Sequence, residues 1–218
     1  TTLFRSLADD VLLALVNAQA AEANAAIGRR FQGGYGAKFW DEAPREVVAA
    51  RADTGAKLWS IESTVLPGTL AADAERVVFH DGADVVCLDR GTGKENWKSQ
   101  PVPRAEEIRG FYVPILVLYE DVVLFSGGET AGKQTGSWYE GGTDTMTALS
   151  AKTGEVLWKA YHPPSGYRSP EDLLVAGGLV WTGETPSGRA VGVFSGRDPY
   201  TGEVKCEFPP DVSTYWFH

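Results

Sequence analysis

The sequence predicts an all-β protein made of four-stranded blades of a β-propeller, and three observations lead to this fold class. Short β-branched runs alternate with Gly, Asp and Pro along most of the chain. A Thr-Gly pair recurs with its Thr at 54, 92, 153 and 201. Each pair closes a unit of about 40 residues that holds several strand-like runs, which is typical of propeller repeats.

The four Thr-Gly copies share a polar cap, a glycine and a large side chain. An Asp or Ser three residues before the Thr can bond the backbone of the turn, and the Gly supplies a positive φ without steric cost. A Trp four residues after the Gly can pack between neighbouring blades. Two copies depart from the pattern, because Arg51 replaces the first Asp and Cys206 the fourth Trp. The predicted structural motif comprises Gly55, Trp59, Asp89, Gly93, Trp97, Gly154, Trp158, Asp198 and Gly202.

Hairpin turns precede the copies and set the blade bounds. Asp81-Gly82 separates two strand-like runs, which is a strong short-range hairpin pattern. Tyr119-Glu120-Asp121 and Gly177-Gly178 separate strands in the next two units. We therefore expect a partial blade at about 45–63, followed by four-stranded blades at about 70–99, 114–161 and 171–208.

The N-terminal residues are expected to differ from the repeats. Residues 1–6, TTLFRS, resemble the translation of a sequencing adapter, so we treat them as non-native. Residues 7–30 are rich in Ala and Leu and place Leu12, Leu15 and Val16 on one face of a predicted helix. We expect a partial propeller over 34–218, belonging to a fragment, because the chain stops within an aromatic run at its C-terminus.

Composition excludes several classes of function. The formal net charge of −9 argues against nucleic acid as a partner, because phosphate binding needs clustered Lys and Arg. No apolar run reaches the roughly 18 residues that a membrane-spanning helix needs. Cys87 and Cys206 are too far apart for a CxxC motif or a cysteine-based zinc site. We expect both to be buried structural thiols, and their pairing in space stays open.

The pattern D-G-x-x-V-x-x-L-D-x-x-T-G-x-x-x-W, from Asp81 to Trp97, resembles the pyrrolo-quinoline quinone (PQQ)-like repeat, and the resemblance covers roughly 34–218. Proteins with this repeat form seven- or eight-bladed propellers. They include calcium- and quinone-dependent dehydrogenases and non-catalytic relatives such as the BamB-type outer-membrane assembly scaffolds. The stretches at 36–45 and 163–167 also resemble bacterial PQQ-binding-like propeller proteins.

The resemblance implies two functions. A quinoprotein dehydrogenase clamps the quinone between a Trp and a disulfide of adjacent cysteines, and it holds Ca²⁺ with carboxylate and amide oxygens. This sequence has no adjacent cysteines, so we expect no catalytic residue and no cofactor in this span. The first expectation is a binding or scaffold module, exported to the periplasm or outside the cell, whose ring is closed by further blades. The alternative is a fragment of a PQQ- and calcium-dependent alcohol or sugar dehydrogenase.

Residues that could bind a metal or stack on a quinone also have a simpler structural role. His80 sits at a hairpin end, where capping or surface exposure is a simpler role than metal binding. Trp59, Trp97 and Trp158 could stack on a quinone, but their recurrence at one repeat position favours packing between blades.

Loop lengths give the best functional lead. In a four-stranded meander, the connections between strands two and three and between blades emerge on one face, and the other turns emerge on the opposite face. We assign every Thr-Gly and Asp-Gly turn to the second face, and the long insertions at about 100–113, 127–143, 162–170 and 183–189 to the first. Aromatic and Arg side chains on the long-loop face are typical of recognition surfaces for a protein or carbohydrate-like ligand. The candidates are Arg109, Tyr112, Trp138, Tyr139, Tyr167, Arg168 and Arg189.

Overall fold

The structure is a computed structural model. It describes residues 2–16, 40, 42–105, 114–128, 146–161, 173–183 and 193–208. All the regular elements of this part of the chain are β-strands, and they form four sheets of four strands. None of the described residues forms a helix with the length and apolar character needed to cross a membrane.

Each sheet is an antiparallel meander whose strands follow the chain order. Sheet 1 contains β1 (Thr2–Ala8), β2 (Val11–Val16), β3 (Arg45–Arg51) and β4 (Lys57–Ser63). Sheet 2 contains β5 (Ala71–Ala72), β6 (Arg76–His80), β7 (Val85–Asp89) and β8 (Glu95–Lys98). Sheet 3 contains β9 (Ile115–Tyr119), β10 (Val122–Ser126), β11 (Met146–Ser150) and β12 (Val156–Ala160). Sheet 4 contains β13 (Leu174–Ala176), β14 (Leu179–Gly183), β15 (Phe194–Arg197) and β16 (Val204–Phe208).

The chain divides into two compact units, each with its own core. In the first unit, sheets 1 and 2 bury a cluster that includes Leu13, Val47, Trp59, Val77 and Phe79. In the second unit, sheets 3 and 4 bury a cluster of Val122, Leu124, Met146, Ala148, Leu173 and Val180. The β-branched and aliphatic side chains of these strands are thus buried between the two sheets of each unit, which stabilises both sheets.

The predicted N-terminal helix is wrong for residues 7–16. Val11, Leu13 and Leu15 are buried, whereas Leu12 is exposed, which is the alternation of a strand. The turn at Asp9, whose φ is 50°, folds β1 back onto β2, and β2 pairs along its whole length with β3. Leu and Ala suit both kinds of element, so this pairing decides the outcome. Residues 17–30 lie outside the described residues.

The expected partial first blade is also wrong, because sheet 1 has all four strands. β1 includes residues 2–6, which we had set aside as non-native, and it pairs with β2. The all-β fold and the strands expected at about 70–99, 114–161 and 171–208 agree with sheets 2, 3 and 4.

The Thr-Gly segments form one repeated turn, here called the corner, between the third and fourth strands of each sheet. The corners are residues 52–56, 90–94, 151–155 and 199–203. In all four, the amide of the Gly donates to the carbonyl four residues earlier at 2.8–2.9 Å, and the Gly has a φ of 71–75°. Asp89 and Asp198 cap their corners by accepting the amides of Thr92 and Thr201 at 2.8 and 3.0 Å. These bonds explain the recurrence of Asp, Thr and Gly.

Two tryptophans join sheets through the corners. Trp59 of sheet 1 donates its indole N–H to the Arg90 carbonyl at 2.7 Å, and a Cβ on Gly93 would lie only 2.7 Å from its ring. Trp158 of sheet 3 donates its indole N–H to the Pro199 carbonyl at 2.9 Å. A Cβ on Gly202 would lie only 2.6 Å from the Trp158 ring. These contacts place an indole flat against the corner of the next sheet.

An acidic residue strengthens each of these sheet pairs. Asp9 of sheet 1 lies 3.4 Å from the Arg90 guanidinium, which also donates to the Ala8 carbonyl at 2.7 Å. Glu120 of sheet 3 accepts the Tyr200 hydroxyl at 2.6 Å. Asp9 and Glu120 both have a positive φ, 50° and 48°, in the turn between the first two strands of their sheets. The same turn position thus receives a bond from the neighbouring corner in both units.

Sheet 4 departs from this arrangement on its outer strand. Cys206 stands at the position of Trp59 and Trp158 and pairs with Gly196 on β15. The neighbouring position on β14 carries Trp181, whose ring lies over Gly196. Its indole donates to the Ala176 carbonyl of the same sheet at 2.9 Å. In sheet 4 the large side chain therefore lies on the second strand, whereas in sheets 1 and 3 it lies on the fourth.

Candidate partner-binding surface

The seven residues predicted to bind a partner lie outside the described residues. They are Arg109, Tyr112, Trp138, Tyr139, Tyr167, Arg168 and Arg189. Their grouping on one surface therefore stays a prediction. What the structure does describe is the set of strand ends from which their loops depart.

The connections differ in length on the two sides of the sheets. On the side of the corners, here called the corner side, no connection within a sheet exceeds six residues. The opposite side, here called the long-loop side, carries connections 17–44, 127–145 and 184–193, as well as the segments that leave β4, β8 and β12. In each of sheets 1, 3 and 4, the long connection therefore leaves the end of the sheet opposite its corner.

One turn was assigned to the wrong side. Asp81-Gly82 joins β6 to β7, which are the second and third strands of sheet 2, so it lies on the long-loop side. The error arose because β5 is only two residues long, Ala71–Ala72, and has no strand pattern in the sequence. Sheet 2 therefore has a tight turn where sheets 1, 3 and 4 have a long connection.

His80 braces three segments at this end of sheet 2. It is fully buried. The Gly82 amide donates to its Nδ1 at 3.0 Å, so this nitrogen carries no proton, and Nε2–H donates to the Val102 carbonyl at 2.8 Å. Its own amide donates to Thr69 Oγ1, which donates to the Leu66 carbonyl. The ring is therefore a neutral structural cap. The expected capping is observed, but surface exposure was wrong.

The Asp81 turn has its own charged cap. Asp81 Oδ1 accepts the amides of Ala83 and Asp84 at 2.9 and 2.8 Å. The Lys98 ammonium lies 2.7 Å from Asp81 and 3.1 Å from Asp84. Burial raises the pKa of Asp81, but the amide bonds and Lys98 together hold it below its usual value. Lys98 therefore offsets only one of the two negative charges of this turn.

The segment after β8 is fixed to sheet 2 before it leaves as a loop. Ser99 Oγ accepts the Val85 amide at 2.9 Å and donates to the Gln100 carbonyl. The Val102 amide donates to the Ala83 carbonyl at 2.9 Å. Trp40 covers the adjacent turn, because a Cβ on Gly82 would lie 2.9 Å from its ring. Sequence reasoning missed Thr69, Ser99 and Trp40, because their partners His80, Val85 and Gly82 are distant in sequence.

The described residues offer no metal centre, since they contain no group of three or more His, Cys, Asp or Glu side chains that could hold an ion. Both cysteines are free. Cys87 is buried, and burial raises the pKa of its thiol to about 11. Cys206 is exposed, so the expectation that it is buried was wrong. Its position on the last strand of sheet 4 accounts for the exposure.

The predicted repeat residues lie where their chemistry requires. Gly55, Gly93, Gly154 and Gly202 lie in the four corners, and Asp89 and Asp198 directly precede two of them. Trp59, Trp97 and Trp158 lie on the fourth strands of sheets 1, 2 and 3. The bonds of Trp59 and Trp158 to corner carbonyls give both indoles a structural role.

A family model described as outer membrane protein assembly factor BamB matches residues 44–207, which is more than half of the chain. The chain belongs to this family. A search of curated proteins found no match.

Solved structures of BamB-like and quinoprotein propellers share the fold. BamB from Moraxella catarrhalis is 16% identical, with a TM-score of 0.50 over 80% of this chain and 51% of that one. A europium-containing methanol dehydrogenase is 13% identical, with a TM-score of 0.52 over 99% and 45%. Quinohemoprotein alcohol dehydrogenase from Comamonas testosteroni is 16% identical, with a TM-score of 0.52 over 97% and 35%. The chain thus spans about half or less of these proteins, and its sheets are blades of a β-propeller.

Proposed function

We propose that this chain is part of a non-catalytic β-propeller that binds a protein partner through its long-loop side. The observation that carries the proposal is the one-sided distribution of long connections, with only short turns on the corner side. Binding residues concentrate on loops that a rigid scaffold holds in place. The printed description of the family, an outer membrane protein assembly factor, supports a protein partner and a periplasmic location.

The described contacts support a rigid base for one of those loops, the segment that leaves β8. His80 links the 64–70 segment, the Asp81 turn and Val102 through bonds of 2.7–3.1 Å. Ser99 and Lys98 bind the same end of sheet 2. A loop that leaves such a platform loses less conformational entropy when it binds. The aromatic and Arg residues of the long loops supply the side chains that dominate binding energy in protein interfaces.

Photo-crosslinking tests the side that binds. Tyr139→p-benzoylphenylalanine places a crosslinker on the long-loop side, and Tyr200→p-benzoylphenylalanine is the matched control on the corner side. We expect one discrete crosslinked protein from periplasmic extract at 139 and none at 200. A carbohydrate-like ligand would instead give no protein adduct at either position. Equal crosslinking at both positions would contradict the proposal.

The purified partner then allows a quantitative test. Trp138→Ala, Tyr139→Ala and Arg168→Ala combined should weaken binding at least about thirtyfold, because truncating even one anchor in an interface costs on the order of 2 kcal/mol. Lys152→Ala, in the corner at residues 151–155, is the control and should bind like the parent chain. Unchanged affinity in the triple variant would exclude the long-loop side.

A PQQ- and calcium-dependent dehydrogenase is the alternative. The similarity to two dehydrogenases, at 13% and 16% identity, supports the fold alone. The adjacent-cysteine disulfide expected from such enzymes cannot form, because the sequence contains only Cys87 and Cys206. We expect no dye-linked alcohol or sugar oxidation after PQQ and Ca²⁺ are added to the protein. Turnover that requires both would refute the non-catalytic proposal.

A further inference from the structure

His80 is a fully buried titratable side chain whose two ring nitrogens have different roles. The Gly82 amide donates to Nδ1 at 3.0 Å, and Nε2 lies 2.8 Å from the Val102 carbonyl oxygen. An amide N–H only donates and a carbonyl oxygen only accepts, so Nδ1 carries no proton and Nε2 carries one. Both bonds therefore require the neutral ring in a single tautomer.

A proton on Nδ1 is incompatible with this arrangement. The new N–H would meet the N–H of Gly82, whose nitrogen is only 3.0 Å away, so two donors would face each other. Burial also penalises the charged form of a histidine. The ring can therefore take a second proton only after it has separated from the Gly82 amide.

The charged side chains at this end of sheet 2 lie on several elements. Asp81 and Asp84 are on the turn after His80, and the Lys98 ammonium of β8 lies 2.7 and 3.1 Å from their carboxylates. Arg104 follows β8, Glu42 follows the Trp40 that covers Gly82, and the 64–70 segment carries no charge. The tautomer of the ring is nevertheless set by its two backbone bonds.

The ring holds a segment that leaves the sheet. Residues 99–102, here called the anchored segment, follow β8 and return to sheet 2, where the Val102 amide donates to the Ala83 carbonyl at 2.9 Å. The His80 bond to the Val102 carbonyl is the second attachment of the same residue. Residues 106–113, which include the predicted binding residues Arg109 and Tyr112, follow shortly after in sequence. The state of His80 therefore bears on how firmly this loop is based.

We propose that His80 is a proton-sensitive latch, which holds the anchored segment on sheet 2 while its ring is neutral and releases it on protonation. In the released state, Nδ1 takes one proton from solvent, Nε2 keeps its own, and the Gly82 amide donates to water. This latch is a property of sheet 2 alone. It goes beyond the proposed function and does not depend on whether the long-loop side binds a protein.

The direction of the pH dependence follows from proton linkage. A released histidine takes a proton near pH 6.5, as it does in an unfolded chain. Because the released state binds the proton and the latched state does not, the latch is most stable above that pH and loosens as pH falls. The equilibrium for release should rise by up to about tenfold per pH unit, or about thirtyfold from pH 7.5 to 5.0.

Amide hydrogen exchange of the full 218-residue chain, followed by NMR and corrected for the intrinsic pH dependence of exchange, tests the latch. The protection of the Gly82 and Val102 amides should fall about thirtyfold from pH 7.5 to 5.0. Gly93 is the internal control, since its amide bond to the Asp89 carbonyl lies in the corner at the other end of sheet 2. Constant protection at Val102 would overturn the proposal, and so would an equal loss at Gly93, which would indicate unfolding of the whole sheet.

Two variants separate the histidine from its surroundings. His80→Gln removes the titratable ring, so the protection of Val102 should no longer depend on pH between 5.0 and 7.5. Thr69→Val removes the hydroxyl that accepts the His80 amide but keeps the ring, so it should lower protection and retain the thirtyfold ratio. If His80→Gln kept the pH dependence of the parent chain, the carboxylates of the turn would be its source and the proposal would be wrong.

The ring itself gives a readout in the parent chain that needs no variant to fold. Long-range ¹H–¹⁵N correlation distinguishes the neutral Nε2–H form of a histidine from its protonated form. We expect the His80 ring to be neutral at pH 6.0, where a histidine in an unfolded chain is mostly protonated. A protonated His80 ring in protein whose Val102 amide stays protected would overturn the proposal.

Discussion

The corner glycines allow the packing of an indole to be measured separately from backbone strain. Gly93 and Gly55 have the same φ of 71°, so substitution by Ala should introduce the same backbone cost at each, about 1–2 kcal/mol. Only Gly93 has a ring against it, with Trp59 Cδ2 2.7 Å from the position of the added methyl group. Because such a distance is too short for any Cβ contact, the ring must move.

The displacement of Trp59 sets the additional loss. Overpacking a well-filled site costs about 1–3 kcal/mol, and the indole bond to the Arg90 carbonyl, 2.7 Å long, is worth about 1 kcal/mol. We therefore expect Gly93→Ala to lower the free energy of unfolding by about 3–6 kcal/mol. Gly55→Ala should lower it by only about 1–2 kcal/mol.

Urea unfolding followed by far-UV circular dichroism measures both variants, with midpoints compared at a constant slope. Gly202→Ala, which faces Trp158 at 2.6 Å, is the matched variant in the second unit and should behave like Gly93→Ala. If Gly55→Ala and Gly93→Ala lowered the free energy of unfolding equally, the reasoning would be refuted, because only the backbone cost of a positive φ would then account for both.

Three further predictions concern titratable groups. Under native conditions the exposed Cys206 thiol should react rapidly with a disulfide reagent. The buried Cys87 thiol, whose pKa is raised to about 11, should react only when the protein unfolds. Rapid reaction of both thiols in the folded protein would contradict this prediction. Because the folded pKa of Asp81 is depressed, its contribution to stability is present above its unfolded pKa and is lost as pH falls. The melting temperature of Asp81→Asn should therefore approach that of the parent chain in acid, and a loss independent of pH would argue against the Lys98 cap. The bond to Glu120 raises the pKa of Tyr200 to about 12, so Glu120→Gln should move tyrosine absorbance at 295 nm to lower pH, and an unchanged titration would exclude the bond.

The corners could be predicted from the sequence because their chemistry is local. A positive φ at Gly93 or Gly202 and an Asp cap three residues before a Thr are properties of a few adjacent residues. The recurrence of these residues indicated the repeat and hence the propeller. The contacts of Trp59 and Trp158 with the next corner follow from the same repetition.

The first two strands and the side of one turn could not be predicted in this way. Residues 11–16, VLLALV, suit a helix or a strand, and their pairing with residues 46–51 is settled by contacts distant in sequence. Ala71–Ala72 carries no strand pattern, so the Asp81 turn was assigned to the wrong side. The role of His80 was only partly predictable, because its bond to Val102 joins segments that the sequence does not show to be close.

The exchange of Trp for Cys206 in sheet 4 bears on how the repeats assemble in the correct order. Sheets with near-identical corners can misassemble during folding, by docking on the wrong neighbour or by domain swapping. Sheet 4 cannot replace sheet 1 or sheet 3 against a glycine corner, since its large ring is committed to the Ala176 carbonyl. The altered positions on the last three strands of sheet 4 thus make this repeat non-interchangeable. Anyone recombining these repeats in an engineered propeller should treat Trp181, Gly196 and Cys206 as a set that is transferred together.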